Sequence, residues 1–177
     1  MRVLLKAVVV VLLLLVAGFA CLRMEQRNRI IETNEWRVLC TLRKILEAAV
    51  RYQKGVEKDK DKNGVGEYPT EFTASMEITV MDSTGKWFDF SKTQGEGVGY
   101  RFRIAAGSIT PEYSFYATAV PIGPGRSGVR SFCTALDGIF YASPSGSPPP
   151  VDYFLSDGGE GKPGGDFVVC EQYRGVE

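Results

Sequence analysis

Apolar residues fill positions 7–22, and the chain then runs into a charged stretch in which no proline or glycine occurs from residue 20 to residue 54. Within that stretch Ile31, Val38, Leu42, Ile45, Ala49 and Tyr52 recur at steps of three or four and their small multiples. Such spacing lines side chains up on one face of a helix. Arg37, Arg43, Lys44, Glu47 and Arg51 fall mostly off the stripe. The pattern predicts one continuous helix over residues 4–54, about 75 Å long at about 1.5 Å per residue. Its first half suits a membrane and its second half a domain to pack against. Gly55 supplies the stop.

Beyond it, residues 58–68 (KDKDKNGVGEY) are too polar and turn-rich for regular structure and read as a surface loop. Residues 76–81 form a strand or a short helix, and residues 86–90 another short element. After a glycine-rich turn at 95–99, Tyr100-Arg101-Phe102-Arg103-Ile104 alternates apolar and basic in strict period two, as a half-buried strand does. A second strand follows over residues 113–119, after a turn at Pro111. Residues 131–134 and 138–141 flank Asp137-Gly138, a hairpin signal. Residues 142–165, rich in Ser, Pro and Gly, read as an extended loop, and residues 166–170 return as a last strand. The expected fold class is α+β: a long helix packed on an antiparallel sheet of about four strands. The expected divisions are an anchor or signal segment (1–24), the amphipathic half of the helix (25–54), a loop and sheet (55–141) and a Pro/Gly-rich end with a last strand (142–177).

Composition narrows the chemistry. The 177 residues hold 21 Lys plus Arg against 21 Asp plus Glu, so bulk charge gives no reason to expect nucleic acid as a partner. There is no His, which removes the commonest general base and the usual imidazole ligand. Catalysis would then rest on carboxylates such as Glu67, Glu71 and Asp137, which no spacing pairs. The glycines at 55, 64, 66, 95, 97 and 99 match no phosphate-binding motif. A non-catalytic protein is expected. Trp36 and Trp87 read as core or membrane-interface residues.

Cys21, Cys40, Cys133 and Cys170 contain no CxxC pair. Cys133 and Cys170 fall in strand-like runs and are candidates for a disulfide in an exported domain, or for two separate buried thiols. A bond would enclose 36 residues and contribute roughly 3–4 kcal/mol. The N-terminus reads three ways. Arg2 and Lys6 precede an apolar run that is short of the roughly 20 residues a spanning helix prefers, and Arg23, Arg27 and Arg29 can snorkel to complete it. The chain is then anchored in a membrane of the cell envelope with its domain exported. Alternatively, Ala17-Gly18-Phe19-Ala20-Cys21 resembles a loose lipobox, with Cys21 carrying a lipid on an envelope binding module. The third reading is a cleaved secretory signal.

One loop suggests a cation. Asp59, Asp61 and Asn63 place oxygens at the first, third and fifth positions of a calcium-loop pattern, with Gly64 at the sixth. Val65 can add a carbonyl and Glu67 a carboxylate, while the twelfth position is Thr70. Ca²⁺ is the one cofactor expected, against the alternative of a solvated turn that ends the helix.

The layout as a whole resembles type IV pilins and type II secretion pseudopilins. The residues that carry the resemblance are Asn34-Glu35, residues 41–45 and Tyr52-Gln53 in the helix, then Asp59-x-Asp61-x-Asn63-Gly64-x-Gly66-Glu67-Tyr68. Gly99-Tyr100-x-Phe102, Ala119-x-Pro121, Gly128-x-Arg130-Ser131-Phe132 and Asp137-Gly138-x-Phe140 follow in order. The resemblance implies a structural subunit of a secretion or pilus-type assembly, meeting like subunits through its N-terminal helix. The prepilin peptidase signal of that group is not evident: Gly18-Phe19 sits at the far end of the apolar run, with no early glutamate. That departure implies an uncleaved pilin-like chain, or one re-anchored through Cys21.

Overall fold

The computed structural model describes residues 2–55, 59–81, 85–107, 111–144, 146 and 168–169. Helix α1 runs without interruption over Arg2–Gln53, about 78 Å at 1.5 Å per residue. Its two halves live in different surroundings. From Val9 to Ile30 every residue is exposed, and the first buried position is Ile31. Val38, Leu39, Leu42, Ile45, Ala48 and Ala49 are then almost wholly buried. The stripe read from the sequence is therefore the packing face, with Tyr52 half-buried at its end.

A 3₁₀ turn (Ala74–Met76) leads into a two-stranded sheet, β1 (Thr79–Met81) with β2 (Trp87–Asp89), and a single turn of helix, α2 (Phe90–Thr93). Asp89 caps α2: its carboxylate accepts from the Ser91 amide at 3.1 Å. The Ser91 hydroxyl and then Lys92 hold that carboxyl below its usual range. The main sheet has six antiparallel strands in sequence order: β3 (Glu96–Gly97), β4 (Tyr100–Ala106), β5 (Phe115–Pro121), β6 (Ser131–Ala135), β7 (Phe140–Ser143) and β8 (Val168–Val169). The expected four-strand meander is β4 to β7. The short strand β8 falls within the last strand expected over residues 166–170, and β1 and β2 fall within the short elements expected over 76–81 and 86–90. The correction is β3 at the other edge of the sheet, formed inside the expected glycine-rich turn and, at two residues, too short to show a period in sequence.

Helix α1 lies across β5 and β6. Ala117 and Ala119, fully buried, leave room for it, and Phe102, Phe115 and Phe132 fill the space beside it. In β4, Tyr100, Phe102 and Ile104 point inward while Arg101 and Arg103 face water, as alternation demands. The β6–β7 hairpin turns at Asp137-Gly138, where the Asp137 carboxylate accepts from the Ile139 amide and Gly138 takes φ +69°. Cys133 is buried on β6, on the face that also carries Tyr116 and Tyr141. Cys170, its candidate disulfide partner, lies outside the described residues. The strand that leads to it, β8, is separated from β6 by β7.

The helix stripe predicts its own mutational signature. Leu42→Ala or Ile45→Ala, each removing a side chain with no exposed surface, is expected to cost about 2–5 kcal/mol. Arg43→Ala, at an exposed position whose pair with Glu47 spans 3.5 Å, is expected to cost less than about 1 kcal/mol. Denaturant unfolding of the three variants measures both.

Candidate functional site at the junction of anchor and domain

What α1 offers below the domain is an apolar cylinder. Residues 9–16, together with Phe19 and Leu22, are all roughly half to two-thirds exposed, and no other part of the described chain covers them. The helix is long and apolar enough to cross a membrane, and a signal segment has the same composition. A helix satisfies its own backbone hydrogen bonds, so it needs nothing from a hydrocarbon environment but space. A charged collar follows. Arg23 sits over the Phe19 ring at 4.8 Å, and Arg29 pairs with Glu25 at 2.6 Å. From Leu22 to Ile31 is nine residues, or about 13 Å of helix, so the domain begins just past the collar.

The first turn of the buried half carries polar residues where a core would ordinarily be apolar. Asn34 and Glu35 are both buried, and each reaches the loop between β5 and β6 at residues 122–130. Asn34 Nδ2 donates to the Ser127 carbonyl at 2.9 Å. Glu35 Oε1 accepts from the backbone amides of Val129 and Arg130 at 2.9 and 3.0 Å. Its other oxygen, Oε2, accepts from Arg130 Nε at 2.7 Å and Nη2 at 2.6 Å. A fork of this kind is short and directional. The guanidinium also lies over the Phe132 ring, 5.4 Å from its centroid.

Tyr100 completes the junction from β4. Its hydroxyl donates to the Arg130 carbonyl at 3.0 Å. Burial first, and then the nearby Glu35 carboxylate, raises its pKa far above the usual phenol range, so it stays a neutral donor. Gly128 passes so close to this hydroxyl that an added Cβ would lie 1.7 Å from it, which no side chain can accept. Among the described residues no buried side-chain nitrogen or oxygen lacks a partner. The junction is thus a saturated polar clasp that ties the loop to the helix at the level where the helix leaves the domain.

The Asp59 loop folds at the opposite end of the domain. Asp59 Oδ1 accepts from the Asn63 amide and Oδ2 from the Gly64 amide, at 3.0 and 2.8 Å. Asp61 Oδ1 accepts from the same Asn63 amide at 3.1 Å, and Asn63 Oδ1 accepts from the Val65 amide at 2.8 Å. The side chains of Asp59, Asp61 and Asn63 are therefore each turned onto a backbone amide of the same loop. Glu67 does not join them: it pairs with Lys60 at 3.1 Å. The buried Glu112 comes instead, accepting from Asn63 Nδ2 at 3.2 Å, while its backbone carbonyl accepts from Gln53 Nε2. Among the described residues no three acidic, Cys or His side chains are placed to hold a metal ion together. Of the candidate ligands Asp59, Asp61, Asn63, Val65 and Glu67, Glu67 is turned to Lys60, and the side-chain oxygens of Asp59, Asp61 and Asn63 accept from the loop's own amides. Gly66 presses it against the end of α1, where a Cβ would lie 1.9 Å from the Gln53 carbonyl oxygen.

The remaining candidates are dispersed. Cys21 and Cys40 are exposed on α1. Glu71 and Asp137 are exposed, and no polar contact joins either of them to Glu67. Trp36 and Trp87 are not core residues; they are 46% and 64% exposed. Sequence reasoning missed the pairing of Asn34-Glu35 with residues 127–130. Both segments were singled out as carrying the resemblance, yet 95 positions separate Glu35 from Arg130. Comparison with known protein families, with curated proteins and with solved structures finds no match.

Two outcomes test these loops. Glu35→Ala leaves two amides and a guanidinium without their acceptor and is expected to destabilise the domain by about 2–4 kcal/mol, measured by denaturant unfolding. The backbone amide of Gly64 is the first cause of a lowered Asp59 pKa. Its contribution is present above the ordinary carboxylate value of about 4 and is lost as pH falls through the lower folded value. Amide exchange at Asn63 and Gly64 should therefore accelerate on acidification below about pH 4 beyond the intrinsic trend, and Asp59→Asn should abolish that excess.

Proposed function

We propose that this chain is a membrane-anchored, pilin-like or pseudopilin-like structural subunit of a secretion or pilus-type assembly, acting through helix packing rather than catalysis. The observation that carries the reading is the division of α1: 22 consecutive exposed residues from Val9 to Ile30 below a buried stripe that begins at Ile31, on one unbroken helix. A helix of that form holds its domain at a set height and orientation above a bilayer, and leaves its lower half free to pack against lipid or like helices. The clasp at Glu35 supports the same reading, because it stiffens the domain against the helix at the point where force or packing from the anchor would arrive. The domain then faces the outside of the cell membrane. Asp59, Asp61 and Asn63 serve this subunit as the closing loop of the helix, and Ca²⁺ bound there would add stability by linkage.

The test is a pull-down from native membranes. The full chain, solubilised in mild detergent, is expected to co-purify with other single-span subunits of pilus or type II secretion type. Truncation at residue 30 keeps Ile31 and Glu35 but removes the exposed half, and is expected to abolish the association. A truncated domain that still captures its partner would instead identify an envelope binding module, the reading in which Cys21 carries a lipid.

A further inference from the structure

The chain has three asparagines, and one of them is chemically poised. Asn28 and Asn34 lie within α1 and precede Arg29 and Glu35. Asn63 is followed by Gly64 in the loop that closes the end of the helix, and both residues are exposed. An asparagine side chain is an acyl group, and the nitrogen of the next residue is the nucleophile held closest to it, one bond short of a five-membered ring. Gly64 takes φ +90°, a conformation that favours glycine, and nothing lies within 4 Å of where a Cβ would stand, so water has access to the ring that forms.

The hydrogen bonds around this pair fall on the atoms that such a ring closure uses. Asp59 Oδ2 accepts from the Gly64 amide at 2.8 Å, so a carboxylate base sits on the nucleophile's proton. That same amide is the first cause of the lowered Asp59 pKa, so the base is ionised at neutral pH. Asn63 Oδ1 accepts from the Val65 amide at 2.8 Å, the donor that a developing oxyanion on Oδ1 needs. This contact closes an Asx turn, which folds the side-chain carbonyl carbon back toward the following nitrogen. Nδ2, the leaving group, donates to Asp61 Oδ2 at 2.9 Å and to Glu112 Oε1 at 3.2 Å.

We propose that Asn63 is a self-modification site, converted by its own loop to aspartate and isoaspartate. The Gly64 nitrogen bonds to Asn63 Cγ while its proton passes to Asp59; the Cγ–Nδ2 bond then breaks, and Nδ2 takes that proton and leaves as ammonia. Water opens the resulting cyclic imide at either carbonyl, so one water enters and one ammonia departs with no change of oxidation state. The product carries a carboxylate where an amide had bridged Asp61 and Glu112. Two donors become like charges at hydrogen-bond distance, which repel. The loop thereby loses its tie to Glu112, whose carbonyl holds Gln53 at the end of α1. A closed loop marks a young chain and an open loop an old one, whatever anchors the protein below.

Mass spectrometry of the full chain in detergent micelles, followed over time, tests the site against a synthetic peptide of residues 58–68. Conversion at Asn63 in the folded chain is expected to be at least tenfold faster than in the peptide near neutral pH. Its rate should be nearly flat between about pH 5 and 7, because the carboxylate base is already ionised there, whereas the peptide's rate rises with hydroxide, about tenfold per unit. Asp59→Asn should slow the folded chain to the peptide's rate or below. Asn63→Asp, which installs the product's charge, should raise amide exchange at Gly64 and Val65 at least tenfold. Conversion no faster in the folded chain than in the peptide, or rising with hydroxide alike in both, would overturn the site. An unchanged rate in Asp59→Asn would overturn the role of Asp59, and unchanged exchange in Asn63→Asp the opening of the loop.

Discussion

Everything in this molecule depends on the continuity of α1 through residues 23–30, where no domain covers the helix and charged side chains surround it. A break there would leave two unrelated parts, an apolar peptide and a small soluble domain. Unbroken, the segment joins them into one rod, whose lower half is exposed and apolar and whose upper half is buried against a core. Lone helices in water are marginal because nucleation is costly. Here the upper end supplies stability through burial of Val38, Leu42 and Ile45, and the lower end, residues 9–22, is apolar enough to cross a membrane. The Glu25–Arg29 pair and the Arg23–Phe19 contact add small local increments between them.

The clasp at Glu35 is the second constraint, and its chemistry explains why an acid is used in a place that apolar packing could have filled. Replacing a buried ion pair by hydrocarbon is often neutral or stabilising, so stability alone does not account for it. Direction does. One carboxylate accepts two consecutive backbone amides and both nitrogens of a fork, and only one placement of residues 127–130 satisfies all four. Apolar contacts would hold the loop near the helix but would not fix its register. With Tyr100 and Gly128 filling the remaining space, the base of the domain is held in one orientation relative to the rod.

Much of this fold is legible in the sequence where a period is long enough to register. The stripe from Ile31 to Ala49, the alternation of Tyr100 to Ile104 and the Asp137-Gly138 turn all appear as written. Each expresses a local rule: helical pitch, pleat or turn geometry. The two-residue edge strand β3 does not. Glu96–Gly97 sits between residues with left-handed backbone, Gln94 and Val98 at φ 51° and 48°, a choice that no propensity favours and that tertiary packing around Phe90 imposes. The clasp was illegible for another reason. Asn34 and Glu35 look like ordinary surface positions until the loop 95 residues away arrives. Glu112 likewise carries no local sign that it will meet Asn63, and Glu67, which spacing favoured, is taken by Lys60.

The most direct measurement is the intact mass and N-terminal sequence of the protein recovered from the membranes of its native host. The account predicts a chain that keeps residues 7–22 as peptide, unlipidated at Cys21, so that the rod remains whole from bilayer to sheet. A chain that begins at a lipid-modified Cys21 would contradict it, because the domain would then hang from an acyl anchor and the lower half of α1 would not exist in the working protein.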